Sequence, residues 1–334
     1  MSRLRLYVVG DRLGWSIDDD RARLVATARR LGYGIGSNAL LRFLRERPVF
    51  QHNHFSALQP RWLESSHRLG LSYFHGRPGT EGYPEFDRAY DALRRNASRI
   101  ARVQVTHEEM RELVVGAGVP HERVFKIPIG IDLEHFAAAP GRGRSSFVIG
   151  SFVKDGVGMG DGFEPKLLKG PDVFVAVVDR LRTGIPALSV VLTGPARGYV
   201  RRQLERLGVP YRHLVLGSRQ ELGRVYHDVD VCLVTSRQEG GPKAALEAMA
   251  SGVPLVSTRV GQAAELVRDG ENGLLADVDD VDALVAAVER VYEDPALHAR
   301  LRAQGRVTAE AYADERLDTL WGELLDGFVD DGTG

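Results

Sequence analysis

Two glutamates, Glu239 and Glu247, stand eight positions apart and could each hold a hydroxyl-bearing ligand. Gly240 and Gly241 follow the first, and Pro242 marks the start of a predicted helix whose second turn carries the other. Since a helix N-terminus offers free N–H groups and a partial positive charge, it suits a phosphate. One acid could therefore meet a sugar and the other a ribose, with a diphosphate between them. The alternative is a glycine turn and helix that bind nothing, as in many α/β proteins.

Lys243 favours the anion-binding interpretation. A lysine in a first helical turn opposes the helix dipole, and it precedes Glu247 by four residues, the less favourable order for a helical ion pair. Local stability gives no reason for this lysine, whereas a bound anion does. The alternative is a simple pair between Lys243 and Glu247, worth about 0.2–0.5 kcal/mol.

This segment resembles the donor-site signature of retaining glycosyltransferases of the GT-B fold, in the large family 4. That signature, the EX7E motif, has a glutamate, seven residues, a second glutamate and then a run of small residues, here 248–256. Residues 261–267 and 269–275 also resemble the family, although Gln262 replaces its usual second glycine. The resemblance covers about residues 120–325.

The resemblance implies a role for several residues of the second half. Glu239 would bind a sugar hydroxyl and Glu247 the ribose hydroxyls, while N–H groups near the two glycines would bind the sugar or the phosphate. Lys169 matches a family lysine that precedes a glycine and neutralises the diphosphate. Lys154 stands near the usual place of an arginine, before an insertion at 155–166. The glycines in and before this insertion predict either a loop that closes over the donor or an ordinary surface loop.

The first half carries fewer matches. His75-Gly76 resembles the family's His-Gly at the reacting centre, and Gly14 would replace a glycine pair beside the donor phosphate. His52 and His54 could line the acceptor cleft or be structural. The resemblance thus implies catalytic residues His75, Lys169 and Glu239. The donor-binding residues that it implies are Gly14, Lys154, Lys169, Glu239, Gly240, Gly241, Pro242, Lys243, Ala244 and Glu247.

Composition places the chain among soluble globular proteins of two domains. It has 334 residues, 43% hydrophobic and 27% charged, with a formal net charge of -1 that gives no pull toward nucleic acid or membrane. Cys232, the single cysteine, lies in an apolar run and is interpreted as a buried small hydrophobe. Only five of the 44 Lys and Arg residues are lysines. Four of them fall in loops assigned to the donor: Lys154, Lys166, Lys169 and Lys243.

Short apolar runs alternate with helical stretches in two series, which predicts an α/β fold with parallel sheets. Residues 137–146 have the composition of a linker. We predict a GT-B architecture of two doubly wound Rossmann-like domains facing across a cleft, with an acceptor domain at 1–139 and a donor domain at 147–308. A C-terminal helix and frayed tail at 309–334 would cross back to the first domain, as the family does.

Asp18, Asp19 and Asp20 begin a helix that we predict at 21–31. They are interpreted as its N-cap and dipole partners. An Asp-x-Asp metal site is the alternative.

The function expected is transfer of a sugar from a nucleoside-diphosphate sugar, best a UDP-sugar, to a hydroxyl with retention of configuration. The acceptor would be a saccharide, a lipid-linked molecule or a small molecule. We expect no metal, no other cofactor and no nucleic-acid partner, and no pattern indicates peripheral membrane contact. With no signal peptide or apolar span, a cytoplasmic protein is expected. Alternatives are a nucleotide-sugar epimerase, a sugar phosphorylase or a catalytically silent binding protein.

Overall fold

The computed structural model describes residues 5–10, 16–138 and 146–329. The chain divides into two compact units. Unit 1 combines Met1–Pro128 with Asp314–Gly334, and unit 2 is Ile129–Ala313. Most of the predicted linker and the final residues of the predicted tail lie outside the described residues. The predicted domain boundaries stay predictions.

Unit 1 is built on a six-stranded parallel sheet in the order β2-β1-β3-β4-β5-β6. Most residues of its strands are buried, as expected of a parallel sheet that helices cover on both faces. The strands are β1 (Arg5–Val9), β2 (Gly34–Ile35), β3 (Pro48–Gln51), β4 (Arg68–Ser72), β5 (Ile100–Val105) and β6 (Val124–Lys126). Its first helices are α1 (Ser16–Arg30), α2 (His54–Ala57), α3 (Pro60–Leu63), α4 (Pro84–Arg95) and α5 (Glu108–Gly116).

Unit 2 has a second six-stranded parallel sheet in the order β12-β11-β10-β7-β8-β9. The strands are β7 (Phe147–Ser151), β8 (Leu188–Thr193), β9 (Tyr211–Leu214), β10 (Val231–Val234), β11 (Leu255–Thr258) and β12 (Leu274–Ala276). The helices are α6 (Pro171–Gly184), α7 (Gly198–Leu207), α8 (Arg219–Tyr226), α9 (Lys243–Ala250), α10 (Gly261–Leu266), α11 (Val281–Glu293) and α12 (Pro295–Ala311).

The chain returns to unit 1 at its C-terminal end through a 3₁₀ turn, Asp314–Leu317, and α13 (Asp318–Leu325). Trp321, Leu324 and Phe328 are buried in one apolar cluster with Leu6 and Phe50 of the first sheet. Arg30 makes an ion pair of 2.7 Å with Asp318 beside this cluster. The predicted return of the C-terminal helix to the first domain is therefore confirmed.

The predicted fold class, two doubly wound parallel sheets, is confirmed, but several element bounds were wrong. The single helix expected at 311–328 is broken after Ala311. The helix expected at 21–31 begins at Ser16, so Asp18 and Asp19 lie in its first turn as dipole partners rather than as caps. Strands expected at 71–74 and 214–216 lie earlier, at β4 and β9. Tyr73 and Phe74 are buried beyond the end of β4, and Val215 is exposed beyond the end of β9, so these apolar runs extend past the strands.

No described helix combines the length and apolar content that crossing a bilayer requires.

Candidate active site

The sheet order of unit 2 reverses between β10 and β7, the first strand of its series. In doubly wound sheets, ligands bind outside the carboxyl ends of the strands at such a point. The loop after β7 carries Lys154, and the loop after β10 carries Glu239. The topology therefore brings two of the predicted donor-binding residues to one edge of the sheet.

Glu239 and Lys169 form an ion pair at this edge. Lys169 Nζ lies 2.6 Å from Glu239 Oε2, and their side chains are 21% and 10% exposed. The other oxygen of Glu239 accepts a hydrogen bond of 2.8 Å from the Ser236 hydroxyl. An acid and a base predicted from separate motifs are thus adjacent, and both reach solvent at the ligand-binding edge.

Lys169 owes its place to a tight junction between two loops. It ends the 3₁₀ turn Leu167–Lys169, and Gly170 follows with φ +61°, the left-handed region that glycine adopts readily. A Cβ on Gly170 would overlap the carbonyl oxygen of Thr235. The Thr235 hydroxyl donates to the Gly170 carbonyl at 2.8 Å. This close approach fixes Lys169 against the β10 loop.

Arg237 ties the same two loops from the other side. Its guanidinium donates to the Leu167 carbonyl at 2.6 Å and to both oxygens of Asp172 at 2.8 and 2.7 Å. Burial alone would raise the pKa of Asp172, but the hydrogen bonds and charge of Arg237 hold it below its usual value. Arg237 therefore joins α6 to the loop that carries Glu239.

Gln262 supports the glycine turn after Glu239. Its side-chain amide pairs with both backbone groups of Ile129, accepting from N–H at 2.7 Å and donating to C=O at 3.1 Å. Its own N–H donates to the Gly240 carbonyl at 3.1 Å. A Cβ on Gly241 would lie 2.7 Å from Ile129 Cδ1. Gln262, which departs from the family pattern, is thus a buried residue that links Ile129 to the glycine turn. The sequence alone did not indicate these contacts.

Helix α9 begins at Lys243, and Pro242 is its N-cap, with no side-chain hydrogen bond to the first turn. The prediction that Pro242 is the first helical residue was off by one position. Lys243 and Ala244 open the helix, which leaves their N–H groups directed out of its N-terminal end. This end suits an anion electrostatically.

Glu247 is buried, 4% exposed, on the second turn of α9. Arg219 Nη2 lies 3.1 Å from Oε1, and the Tyr226 hydroxyl donates to Oε2 at 3.0 Å. Both donors come from α8. The carboxylate is therefore held on two sides by side chains that the sequence motif does not include.

Lys154 follows β7, and partial burial lowers its pKa. The next residue, Asp155, is buried and makes an ion pair of 3.0 Å with the fully buried Arg197. Arg197 also donates to the Ser151 and Thr193 carbonyls at 2.8 and 3.0 Å. The base of the predicted insertion is thereby fixed beside Lys154.

The insertion itself is docked onto the start of α7. A Cβ on Gly156 or Gly162 would overlap backbone atoms of Ala196, and the Gly198 N–H donates to the Asp161 carbonyl at 2.6 Å. The exposed apolar side chains of this loop and its end are Val157, Met159, Phe163 and Leu167. Gly156 and Gly162 thus allow the loop to approach the backbone of Ala196 closely. The sequence analysis, which predicted a mobile or an ordinary surface loop, did not include this contact.

In unit 1, His75 is half-buried just beyond β4 and lies among three other rings. Its ring meets those of His54, Phe55 and Phe86 edge-on, with centroids 5.7, 6.0 and 5.8 Å away. Gly76 follows with φ +105°, and the Tyr73 hydroxyl donates to its carbonyl at 3.3 Å. The contacts restrict the orientation of His75. Gly14 lies outside the described residues.

His52 and His54 are buried, which favours the structural interpretation that the sequence left open. The Ser72 hydroxyl donates to Gln104 at 2.5 Å, so the 2.9 Å contact from His52 Nδ1 to Ser72 makes Nδ1 the donor. Burial and the neighbouring His75 lower the pKa of His54 well below its usual range. His54 is therefore a neutral packing residue.

Cys232 is buried, as predicted, and burial raises the pKa of its thiol. Within the described ranges, no group of three or more His, Cys, Asp and Glu side chains is arranged to hold a metal ion.

Comparison with known families matches residues 162–294 to the glycosyl transferases group 1. The matched range contains Lys169, Glu239 and Glu247. This group 1 segment runs from the insertion through α11.

Curated relatives extend the match beyond the group 1 segment. The chain is 29% identical over 235 residues to the D-inositol 3-phosphate glycosyltransferase of Mycobacterium marinum, covering 67% of this chain and 48% of that protein. It is 30% identical over 239 residues to a GDP-mannose-dependent alpha-(1-6)-phosphatidylinositol monomannoside mannosyltransferase of Mycolicibacterium smegmatis, covering 65% and 60%. The chain thus spans about half the length of the curated relatives it matches.

Solved structures share the fold over nearly the whole chain. Anabaena HepE in complex with UDP and glucose superposes with a TM-score of 0.76 at 16% identity, covering 97% of this chain and 100% of that one. Sucrose-phosphate synthase from Thermosynechococcus elongatus superposes with a TM-score of 0.71 at 20% identity, covering 92% and 77%. At these identities the likeness establishes the fold, which is GT-B.

Sequence reasoning missed Arg219, Tyr226 and Arg237 in the group 1 segment. A signal for the first two was present, since Ser218 and Glu221 have the spacing of a capping box and predict a helix start at Arg219. The structure has this cap, with Ser218 Oγ accepting from the Glu221 N–H at 3.2 Å. Tyr226 lies seven positions after Arg219, a spacing that places both on one helix face. Nothing local in the sequence indicates the contacts of Arg237.

Proposed function

We propose that this protein is a retaining glycosyltransferase. It would move a sugar from a nucleoside-diphosphate sugar, with a UDP-sugar as the expected donor, to a hydroxyl of an acceptor. The observation that carries the proposal is the Lys169–Glu239 ion pair at the carboxyl edge of β10. The match of residues 162–294 to the glycosyl transferases group 1 supports it independently.

The proposed donor site assigns positive groups to the diphosphate. Lys169, Lys154 and the N-terminal end of α9 with Lys243 and Ala244 would face its oxygens. Negative charge grows on the diphosphate as its bond to the anomeric carbon breaks, so fixed positive partners stabilise the transition state more than the bound donor. A site of this kind needs no metal to neutralise the leaving group.

The proposed sugar and ribose contacts use the two glutamates. Glu239 would accept a hydrogen bond from a sugar hydroxyl, with its charge balanced by Lys169, and Gly240, Gly241 and Pro242 would form the adjoining wall. Glu247 would accept from the ribose hydroxyls. The role proposed for His75, which is to position the transferred sugar, rests on its family resemblance and on the restricted orientation of its ring.

The test is a donor screen on the full chain. UDP-, GDP- and ADP-sugars are incubated with a panel of saccharide, lipid-linked and small hydroxyl acceptors, and release of the nucleoside diphosphate is measured with EDTA or with magnesium. We expect release from one donor class, unchanged by EDTA, and strongly reduced in Glu239→Gln and Lys169→Ala. The anomeric configuration of the product is then read by NMR.

Each competing function gives a different result. An epimerase would change the configuration of the donor sugar without an acceptor, and a phosphorylase would need inorganic phosphate. Inversion in the product would contradict the retaining assignment. A protein that binds no nucleoside diphosphate and turns over no donor would overturn the proposal as a whole.

A further inference from the structure

The carboxylate of Glu247 is held by two donors from a single helix. Arg219 Nη2 lies 3.1 Å from Oε1 and the Tyr226 hydroxyl lies 3.0 Å from Oε2. Each oxygen thus receives one donor. Because α8 begins and ends at these two residues, their spacing is set by the helix rather than by a flexible loop.

Aromatic rings fix both donors in turn. The Arg219 guanidinium lies over the Phe136 ring, 5.1 Å from its centroid. Tyr226 stacks on Phe152 at 3.9 Å and meets Phe136 edge-on at 5.9 Å. Phe136 and Tyr226 are fully buried. The two donors therefore have little freedom to move, and they fix the position of the carboxylate.

Packing alone does not account for an acid at this position. The other residues of α9 from Ala244 to Ala250 are apolar and buried. Burying a carboxylate with a partner is often no more stabilising than an apolar side chain of similar volume. A glutamate with two dedicated donors on an otherwise apolar helix is consistent with a ligand that uses it.

We propose that Arg219 and Tyr226 are positioning residues that present the Glu247 carboxylate to the two ribose hydroxyls of the donor nucleotide. This inference rests on the proposed function. A carboxylate oxygen has two lone pairs, and each oxygen of Glu247 spends one on Arg219 or Tyr226. One lone pair remains on each oxygen, which matches the 2′- and 3′-hydroxyls as a pair of donors.

The phenol of Tyr226 is suited to this role at any working pH. Burial, together with the charge of Glu247, raises the pKa of Tyr226 well above its usual value. The hydroxyl therefore keeps its proton and can only donate to the carboxylate. Glu247 is left as the acceptor for the ligand.

The test compares ribose with dideoxyribose. Binding of UDP, GDP and their 2′,3′-dideoxy forms, which lack both hydroxyls, is measured by calorimetry for the wild type, Tyr226→Phe and Arg219→Gln. We expect the wild type to prefer the ribonucleotide. Each variant should lose about tenfold in ribonucleotide affinity, the scale of one hydrogen bond to a charged group, while affinity for the 2′,3′-dideoxy form stays close to that of the wild type.

Matched controls exist in the same unit. Tyr211→Phe removes a Tyr–Glu hydrogen bond of 2.5 Å to Glu205, and Arg212→Gln removes an exposed ion pair of 2.7 Å with Asp228. Both should leave the preference for ribose unchanged. Melting temperatures show whether each variant is folded. If Tyr226→Phe does not fold, Arg219→Gln still tests the inference, because the Arg219 side chain is partly exposed.

The outcomes separate this inference from the proposed function. A wild type that binds none of the nucleoside diphosphates overturns the proposed function. A wild type that binds them, with folded variants that keep the full preference for ribose, overturns only the positioning role. An equal loss for ribo- and dideoxy-forms would assign Arg219 and Tyr226 a structural role and would also overturn it.

Discussion

At the scale of single residues, charge balance explains the arrangement around Glu239. The Lys169–Glu239 distance of 2.6 Å and the Ser236 hydrogen bond at 2.8 Å hold an acid that is largely removed from solvent. A lysine is a compact charge on a flexible stem. In the proposed function, Lys169 would turn from the carboxylate toward the donor phosphate.

We expect Lys169→Ala and Lys243→Ala to lower kcat more than they raise KM. Charge on the leaving diphosphate grows toward the transition state, so a lost positive partner affects turnover by roughly a hundred- to a thousandfold. Lys243→Ala should also leave the melting temperature unchanged or slightly higher, because this lysine opposes the dipole of α9. Steady-state kinetics with the donor found in the screen and thermal unfolding measure both.

Lys126→Ala is the control for this pair, since Lys126 lies in unit 1 and pairs with Glu108. It should keep wild-type kinetics. A Lys243→Ala variant with a lower melting temperature and normal turnover would make Lys243 a structural residue, and the diphosphate contact would then rest on Lys154, Lys169 and the helix end.

His54 gives a pH dependence of stability with a defined sign. Its pKa is far below the usual value in the folded state because it is buried, so below about pH 6.5 the unfolded chain binds a proton that the folded chain does not. Stability is fully present above that pH and is lost as the pH falls toward the folded pKa. Urea unfolding at pH 7.5 and pH 5.5 should show a smaller loss for His54→Phe than for the wild type.

The loss in free energy of unfolding can differ between the wild type and His54→Phe by about 1.4 kcal/mol for each pH unit. His121→Phe at an exposed position is the control and should lose as much stability as the wild type. Parallel curves for wild type and His54→Phe would mean that His54 takes up a proton in the folded state.

At the scale of elements, the site depends on two loops that touch without room for a side chain. Gly170, the N-cap of α6, meets the Thr235 carbonyl after β10. Arg237 adds three hydrogen bonds across the same junction. The position of Lys169 relative to Glu239 is therefore a property of the junction, and neither loop sets it alone.

Gly170→Ala should lower the free energy of unfolding much more than Gly208→Ala. Both glycines have left-handed backbone, with φ +61° and +67°. Gly208 has open space around its Cα, so alanine there adds only backbone strain of about 1–2 kcal/mol. At Gly170 the overlap with Thr235 adds about 1–3 kcal/mol. Urea unfolding measures both variants.

Turnover should fall in Gly170→Ala and stay normal in Gly208→Ala, since only the first displaces Lys169. Equal stability losses together with normal turnover in both variants would mean that the junction can relax without moving Lys169.

At the scale of the whole molecule, unit 1 is completed by the C-terminal end of the chain. Trp321 meets Phe50 and His52 edge-on, with centroids 5.8 and 6.2 Å away, and Arg102 donates to the Leu324 carbonyl at 3.2 Å. The core of unit 1 thus joins its first strands to α13.

Trp321→Ala should therefore destabilise unit 1 and leave unit 2 protected. Truncating a buried tryptophan costs about 3–5 kcal/mol. Hydrogen exchange followed by mass spectrometry should show faster exchange in β1, β3 and β4 and unchanged exchange in β7, β8 and β10. Glu323→Ala on the exposed face of α13 is the control. Faster exchange in both units at once would show that they unfold together.

The sequence by itself determined the fold class and the members of the proposed donor site that belong to one continuous motif. Glu239, Gly240, Gly241 and Glu247 are placed by a strand, a turn and a helix that follow one another along the chain. Local hydrophobic periodicity and glycine or proline signals are enough for such a unit. The return of the C-terminal helix to the first domain was predicted from the family resemblance, since the helix itself shows only an amphipathic pattern.

Only the tertiary structure decided which side chains meet across elements. The pairing of Lys169 with Glu239, the hold of Arg219 and Tyr226 on Glu247, and the buried Asp155–Arg197 pair join residues that lie 21 to 70 positions apart. Their contacts depend on strand order and on which helix face meets the sheet, and neither leaves a trace in local sequence pattern. Burial likewise favours the structural interpretation of His52 and His54, and the sequence left it open because exposure is a property of the folded chain.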